Sequence, residues 1–203
     1  MVKITTTMTI QALIGFLVYS LINAFTPGPG NLLALSATIT HGLKGAKSLL
    51  WGIFFGYYVV QILCAIIVFG VEKYVHPAMS IMKYLGAAYV LWLAFHIFRS
   101  NPEKTVDGKR SSFITGFLLQ FINVKIYLFG ITALAGYVTP YYGSFSILLL
   151  SELIIATIGS IATLSWAIAG NAFQNIYLRY FSWINLVLAL LLVQCAVGLL
   201  LIE

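Results

Sequence analysis

Apolar residues run along this chain in long blocks instead of alternating with polar ones. The blocks cover about 9–25, 48–71, 78–98, 112–139, 144–170 and 182–202. A run of about 20 apolar residues is what an α-helix needs to cross a bilayer. Polar or helix-breaking stretches lie between the blocks: Pro27-Gly28-Pro29-Gly30-Asn31, Glu72 to Pro77, Arg99 to Ser112, Pro140 to Gly143 and Asn171 to Tyr180. The pattern predicts an all-α, polytopic membrane protein of six transmembrane helices, forming a single membrane domain over residues 1–203. The one long polar stretch, RSNPEKTVDGKRSS (Arg99–Ser112), divides it into repeat one, about 1–98, and repeat two, about 113–203.

Two blocks are irregular. The first has about 17 residues before the Pro/Gly break, and a short apolar piece, Leu32 to Thr40, follows it. Either the helix resumes after the break or this piece is re-entrant. The fourth block, at about 28 residues, is longer than a bilayer requires, and Asn123-Val124-Lys125 interrupts it. Tilt or local unwinding accommodates the excess.

Composition excludes the alternative of a soluble domain. Of 203 residues 61% are hydrophobic and 8% charged, and mean hydropathy is +1.00. Soluble domains carry about a quarter charged residues, so this chain lacks the polar groups to cover a water-facing surface. Lys3 precedes an apolar run, Ile10 to Phe25, but no A-x-A-like cleavage site closes it. It is expected to be a retained helix and not a signal peptide.

The net charge of +6 changes the picture by its distribution. Basic residues sit at block ends, which marks topology and not a nucleic-acid surface. Lys44, Lys47, Arg99, Lys104, Lys109, Arg110 and Arg179 fall on one side; Lys3, Lys73 and Lys83 fall on the other. The positive-inside rule puts the richer side in the cytoplasm and both termini outside. Three spans per half then make an inverted-topology pair, an arrangement common in secondary transporters. The breaks correspond: Phe25 to Asn31 ends the first span of one half, and Phe121 to Lys125 interrupts the first span of the other.

Chemistry is expected at these breaks. Pro27, Gly28, Pro29, Gly30 and Asn31 free backbone groups at or near membrane depth, where lipid offers no partners. The competing reading is an ordinary interfacial loop. Gln120, Asn123 and Lys125 form the second constellation. Lys125 lies about 20 Å into its span at 1.5 Å per residue, where a lysine is costly unless it faces a cavity or a partner. It either attracts a substrate carboxylate or snorkels to the interface. Glu152 is the one acid clearly inside a span. It pairs with Lys125, takes up a proton, or faces water near the interface.

Other features have structural readings. Gly52 and Gly56, and the small run Gly86-Ala87-Ala88, are expected to be close-packing devices. Asn23, Gln61, Asn185 and Gln194 line a path or bond between helices. Trp51, Tyr74, Trp92, Tyr141, Tyr142 and Trp183 sit near block ends as interfacial anchors. Cys64 and Cys195 are expected to be buried structural thiols. There is no CxxC, HExxH or Cys/His cluster, and His41, His76 and His96 lack metal-ligand spacing, so neither a cofactor nor a metal is predicted.

The run TPGPGNLLALSATITHG (Thr26–Gly42), with YLGAAYVLWLAF (Tyr84–Phe95) and LQFINVKIYLFGITAL (Leu119–Leu134) in order behind it, resembles the LysE/RhtB family of amino-acid exporters. The resemblance spans essentially the whole chain. It implies export of small amino acids, of the cysteine and O-acetylserine kind, across a bacterial inner membrane, driven by the proton gradient. The family's first motif maps onto Pro27 to Asn31. Its second, commonly Asn-Pro-Lys, reads Asn123, Val124, Lys125 here and lacks the proline. Glu152 matches no motif of the family, so its role rests on physical reasoning alone. The implied partners are a small amino-acid substrate, protons and membrane lipid, with homo-oligomerisation left open and no nucleic acid. A passive channel or a structural membrane subunit is the alternative. An intramembrane enzyme is disfavoured because no nucleophile, acid pair or metal set accompanies Glu152.

Overall fold

The computed structural model describes residues 8–70, 75–99 and 112–200. Residues 100–111 of the polar loop, Lys73, Tyr74 and both chain ends, Lys3 included, lie outside the described residues, as do the surroundings of Lys83 and Gly86. All regular structure among the described residues is helical.

Helix α1 (Ile10–Phe25) is started by Thr9, whose hydroxyl accepts from the Ala12 amide at 3.2 Å. It ends at Thr26, whose extended backbone precedes Pro27. Helix α2 (Pro29–Gly70) begins directly after the break, with proline at the first helical position, where its missing N–H costs nothing. The piece from Leu32 to Thr40 is therefore the first limb of a new helix. That limb ends at Gly42, whose φ of 66° and ψ of 172° are open to glycine and strained for other residues. A second limb then runs on to Gly70.

Helix α3 (Val75–Phe98) completes the first half. In the second half α4 (Phe113–Ile122) is capped by the Ser112 hydroxyl. It stops at Asn123, and α5 (Val124–Ala133) resumes at 56° to it before a π-helical turn, Leu134–Val138. The interruption inferred from Asn123-Val124-Lys125 is thus a sharp break, made without the proline usual at that position. Helices α6 (Phe145–Ala172) and α7 (Gln174–Leu200) follow, with α7 bent at Tyr180.

Three stretches among the described residues are long and apolar enough to cross a membrane, and the bent α4–α5 pair makes a fourth; α1 is apolar but shorter. Trp51, Phe55, Phe69, Ile161, Trp183 and Leu190 are each more than half exposed, a surface that suits hydrocarbon.

Helix α2 packs most extensively on α6 and α4, and α3 on α7. Small residues make the contact of α2 with α4 close. A β-carbon at Gly52 would strike the Phe113 carbonyl, one at Gly56 would lie 2.9 Å from the Phe117 carbonyl, and one at Gly116 would strike the Leu49 carbonyl. The Gly52–Gly56 spacing is a packing device, as its pattern predicts.

Candidate functional site

The first break is a backbone problem solved by Thr26 itself and by side chains from four other helices. The last carbonyls of a helix lack intrahelical partners, and here each finds one. Asn23 O accepts from the Thr26 hydroxyl at 2.8 Å. Ala24 O accepts from Asn31 Nδ2 at 2.8 Å, and the same nitrogen reaches Thr26 O at 3.1 Å. Phe25 O accepts from Trp166 Nε1 on α6 at 3.2 Å. Thr26 O and Thr26 Oγ1 each accept from Lys125 Nζ on α5 at 2.9 Å, and Pro27 O lies 3.4 Å from the same nitrogen. Cys195 Sγ on α7 is 3.9 Å from Pro27 O. Cys64 is buried as expected, but Cys195 is half-buried beside the break. It abuts the site and packs on the core shared by α3 and α7.

Glycine permits this convergence. A β-carbon at Gly28 would lie 2.9 Å from Lys125 Cδ, and one at Gly30 would lie 3.1 Å from Gln120 Nε2. Side chains of the second half can approach the first break only because these two positions carry none.

A cavity lies between the breaks, lined by Asn23, Ala24, Gly28, Gly30, Asn31 and Tyr57 from one half. Gln120, Asn123, Lys125, Ile126 and Thr163 line it from the other. It offers about 20 Å³ to the centre of a water molecule, room for a water or two. Anything larger needs the surrounding helices to part.

The cavity's polar walls are incompletely paired. Asn123 Nδ2 donates to Gln120 Oε1 at 3.3 Å, which leaves Gln120 Nε2 and Asn123 Oδ1 buried without partners among the described residues. One is a donor and the other an acceptor. Turning both amides over exchanges the roles but preserves one of each.

Seven of the residues singled out in the sequence, Asn23, Gly28, Gly30, Asn31, Gln120, Asn123 and Lys125, therefore line one cavity. Pro27 contributes a carbonyl to Lys125, and Pro29 starts α2. Glu152 stands apart. It is 0% exposed, so it does not face water, and Lys125 is turned to Thr26 and Pro27 instead of to it. Sequence reasoning missed Thr163, whose hydroxyl donates to Asn31 Oδ1 at 2.9 Å, and Tyr57. Thr163 follows Glu152 by eleven residues, three helical turns, and so shares its face. That spacing was a readable signal once the Glu152 face was known to be buried. Among the described residues no group of His, Cys, Asp and Glu is arranged to hold a metal.

A family model for the LysE type translocator matches residues 21–202. The cysteine/O-acetylserine efflux protein of Escherichia coli (strain K12) is 41% identical over 191 residues, spanning 94% of this chain and 98% of that protein. The protein of the same name from Shigella sonnei (strain Ss046) matches to the same extent.

The chain belongs to the LysE family.

No solved structure matches it. The stretch that makes it a LysE-family translocator contains both breaks, the cavity and Glu152. Its similar relatives carry the names of efflux proteins and not of enzymes.

Proposed function

We propose that the chain exports small neutral amino acids, cysteine and O-acetylserine or close analogues, from the cytoplasm across a bacterial inner membrane in exchange for protons. The names of its full-length relatives support the substrate class. The observation that carries the reading is the cavity itself, built from both breaks and holding one unpaired donor and one unpaired acceptor. A zwitterion needs that pair: Gln120 Nε2, with Lys125, for the carboxylate, and Asn123 Oδ1 for the ammonium group.

Lys125 gives the site its mechanism. An ammonium group has three donors, and the break in the first half already engages them. A substrate carboxylate must draw Lys125 away from the Thr26 and Pro27 carbonyls, which loosens the joint between the halves. Substrate binding and opening thus become one event, as alternating access requires. Glu152, buried between α2 and α5, carries the proton.

The arrangement of six spans in two inverted repeats is part of this proposal. Helix pairing supports it: α2 lies on α6, α3 on α7, and the contact of α2 with α4 has its counterpart in α6 with α1. Each half then consists of a broken first span, a long second and a third. The positive-inside pattern puts both termini on the outer side.

Uptake of radiolabelled cysteine and O-acetylserine into inside-out vesicles, with and without an imposed proton gradient, tests the proposal. Gradient-dependent accumulation is expected. Equilibration regardless of the gradient would make the chain a passive channel, and no uptake of either compound would reject the substrate class.

A further inference from the structure

A second polar spot lies outside the substrate cavity, where α2, α5 and α6 meet. Gln61 and Glu152 are both 0% exposed there. Gln61 Nε2 donates to the Ile126 carbonyl at 3.4 Å, and its Oε1 points at Gly130. Both Glu152 oxygens point at the same glycine. A β-carbon on Gly130 would lie 2.9 and 3.0 Å from them and would run into Gln61 Oε1. None of the three oxygens has a hydrogen-bond donor among the described residues.

Three acceptors thus converge on one buried point. An ionised carboxylate left there without partner or solvent is strongly disfavoured, and two facing acceptors repel unless something positive sits between them. The titratable groups nearby are Tyr57 and Cys64 of α2 and Tyr127 of α5, which neighbours Cys64. Among the described residues no cationic side chain faces Glu152; Lys125 of α5 is held at Thr26 and Pro27. A proton on one Glu152 oxygen resolves the conflict. The new O–H donates to Gln61 Oε1, and the Ile126 carbonyl holds the amide in the orientation that presents this oxygen.

We propose that Gln61, Gly130 and Glu152 form a dedicated proton site, separate from the substrate cavity, in which Gln61 Oε1 accepts the hydrogen bond of the protonated Glu152 carboxyl. The absent side chain of Gly130 supplies the space. The proton is gained by forming the carboxyl O–H bond and lost by transfer to water when the helices part. Tyr57 ties this site to the cavity: it lies one turn from Gln61, lines the cavity and presses on Gly159 of α6, the helix that carries Glu152. Only the use made of the proton rests on the exporter reading.

The test is carbodiimide labelling of the full chain in proteoliposomes, followed by mass spectrometry. Dicyclohexylcarbodiimide adds to protonated carboxyl groups in apolar surroundings, so it reports the O–H directly and needs no substrate. The Glu152 peptide is expected to gain the mass of one reagent molecule. Labelling should fall along a single titration between about pH 5 and about pH 9, unchanged when sodium replaces potassium. Gln61→Leu and Gly130→Ala should each move the midpoint by about one pH unit, the worth of one neutral hydrogen bond. In counterflow both variants should lower the maximum rate, while the half-saturating concentration stays within about twofold, because the site lies outside the cavity. Absence of labelling across the range, or an unmoved midpoint in a folded Gln61→Leu protein, would overturn the proposal. Protection by sodium would overturn it too, making the spot a sodium site. A wild-type protein that labels at Glu152 but exchanges neither cysteine nor O-acetylserine would sink the exporter reading and leave the proton site standing.

Discussion

Lys125 holds the two halves of the molecule together by bonding carbonyls that α1 leaves open. Replacing it with alanine strips the cavity of its cation and leaves Thr26 and Pro27 acceptors unpaired. Hydrogen bonds to charged groups are worth about 1.5–3 kcal/mol, so Lys125→Ala is expected to slow counterflow by about tenfold or more at matched membrane abundance. Unimpaired exchange by this variant would remove Lys125 from the mechanism. Asn31 belongs to the same joint, since it bonds Ala24 O, Thr26 O and the Thr163 hydroxyl. Asn31→Ala should destabilise the detergent-solubilised protein by about 1–3 kcal/mol, and Thr163→Val by about 1 kcal/mol. A double-mutant cycle by thermal melting should show the two effects to be non-additive, because they share one bond. Much at this scale was legible beforehand. Proline and glycine in a membrane segment announce freed backbone groups, and a lysine at depth announces a partner. The sequence did not name that partner, since Thr26 and Lys125 are 99 residues apart and no periodicity connects them.

Among the helices, the tight contact of α2 with α4 depends on glycines whose hydrogens touch backbone. Gly116→Val is expected to push these helices apart and to cost more than about 2 kcal/mol by over-packing. Gly136→Ala and Gly143→Ala, with nothing near the added carbon, should change the melting temperature little. Any large effect of the latter pair would show that space is not what these glycines provide. Gly42→Ala should cost about 1 kcal/mol for a different reason, its positive φ. The helices themselves were readable, because long apolar blocks have few other solutions in lipid. The kink at Gly42 was not foreseen: beside His41, Lys44 and Gly45, a glycine reads equally as part of a loop or as a bend in a continuing helix. The break at Asn123 was seen through its polar residues even though the proline that would enforce it is missing.

For the whole molecule, the proposed six spans would place both termini on the same side. Single cysteines introduced near residues 5 and 202, in a background lacking Cys64 and Cys195, should both react with a membrane-impermeant thiol reagent applied to intact cells. Reaction of only one would require an odd number of spans. The all-helical membrane class and the places of the two breaks were determined by sequence alone, because hydropathy and helix-breaking residues act locally along the chain. Tertiary structure decided what each polar group meets. It turned Lys125 towards Thr26 and away from Glu152, brought Thr163 to Asn31, and set Gln61 and Glu152 around the empty side of Gly130. The physical reason is common to all three cases. A buried polar group in a membrane protein must find its partner on another helix, and helix rotation and depth, which no local pattern encodes, select that partner.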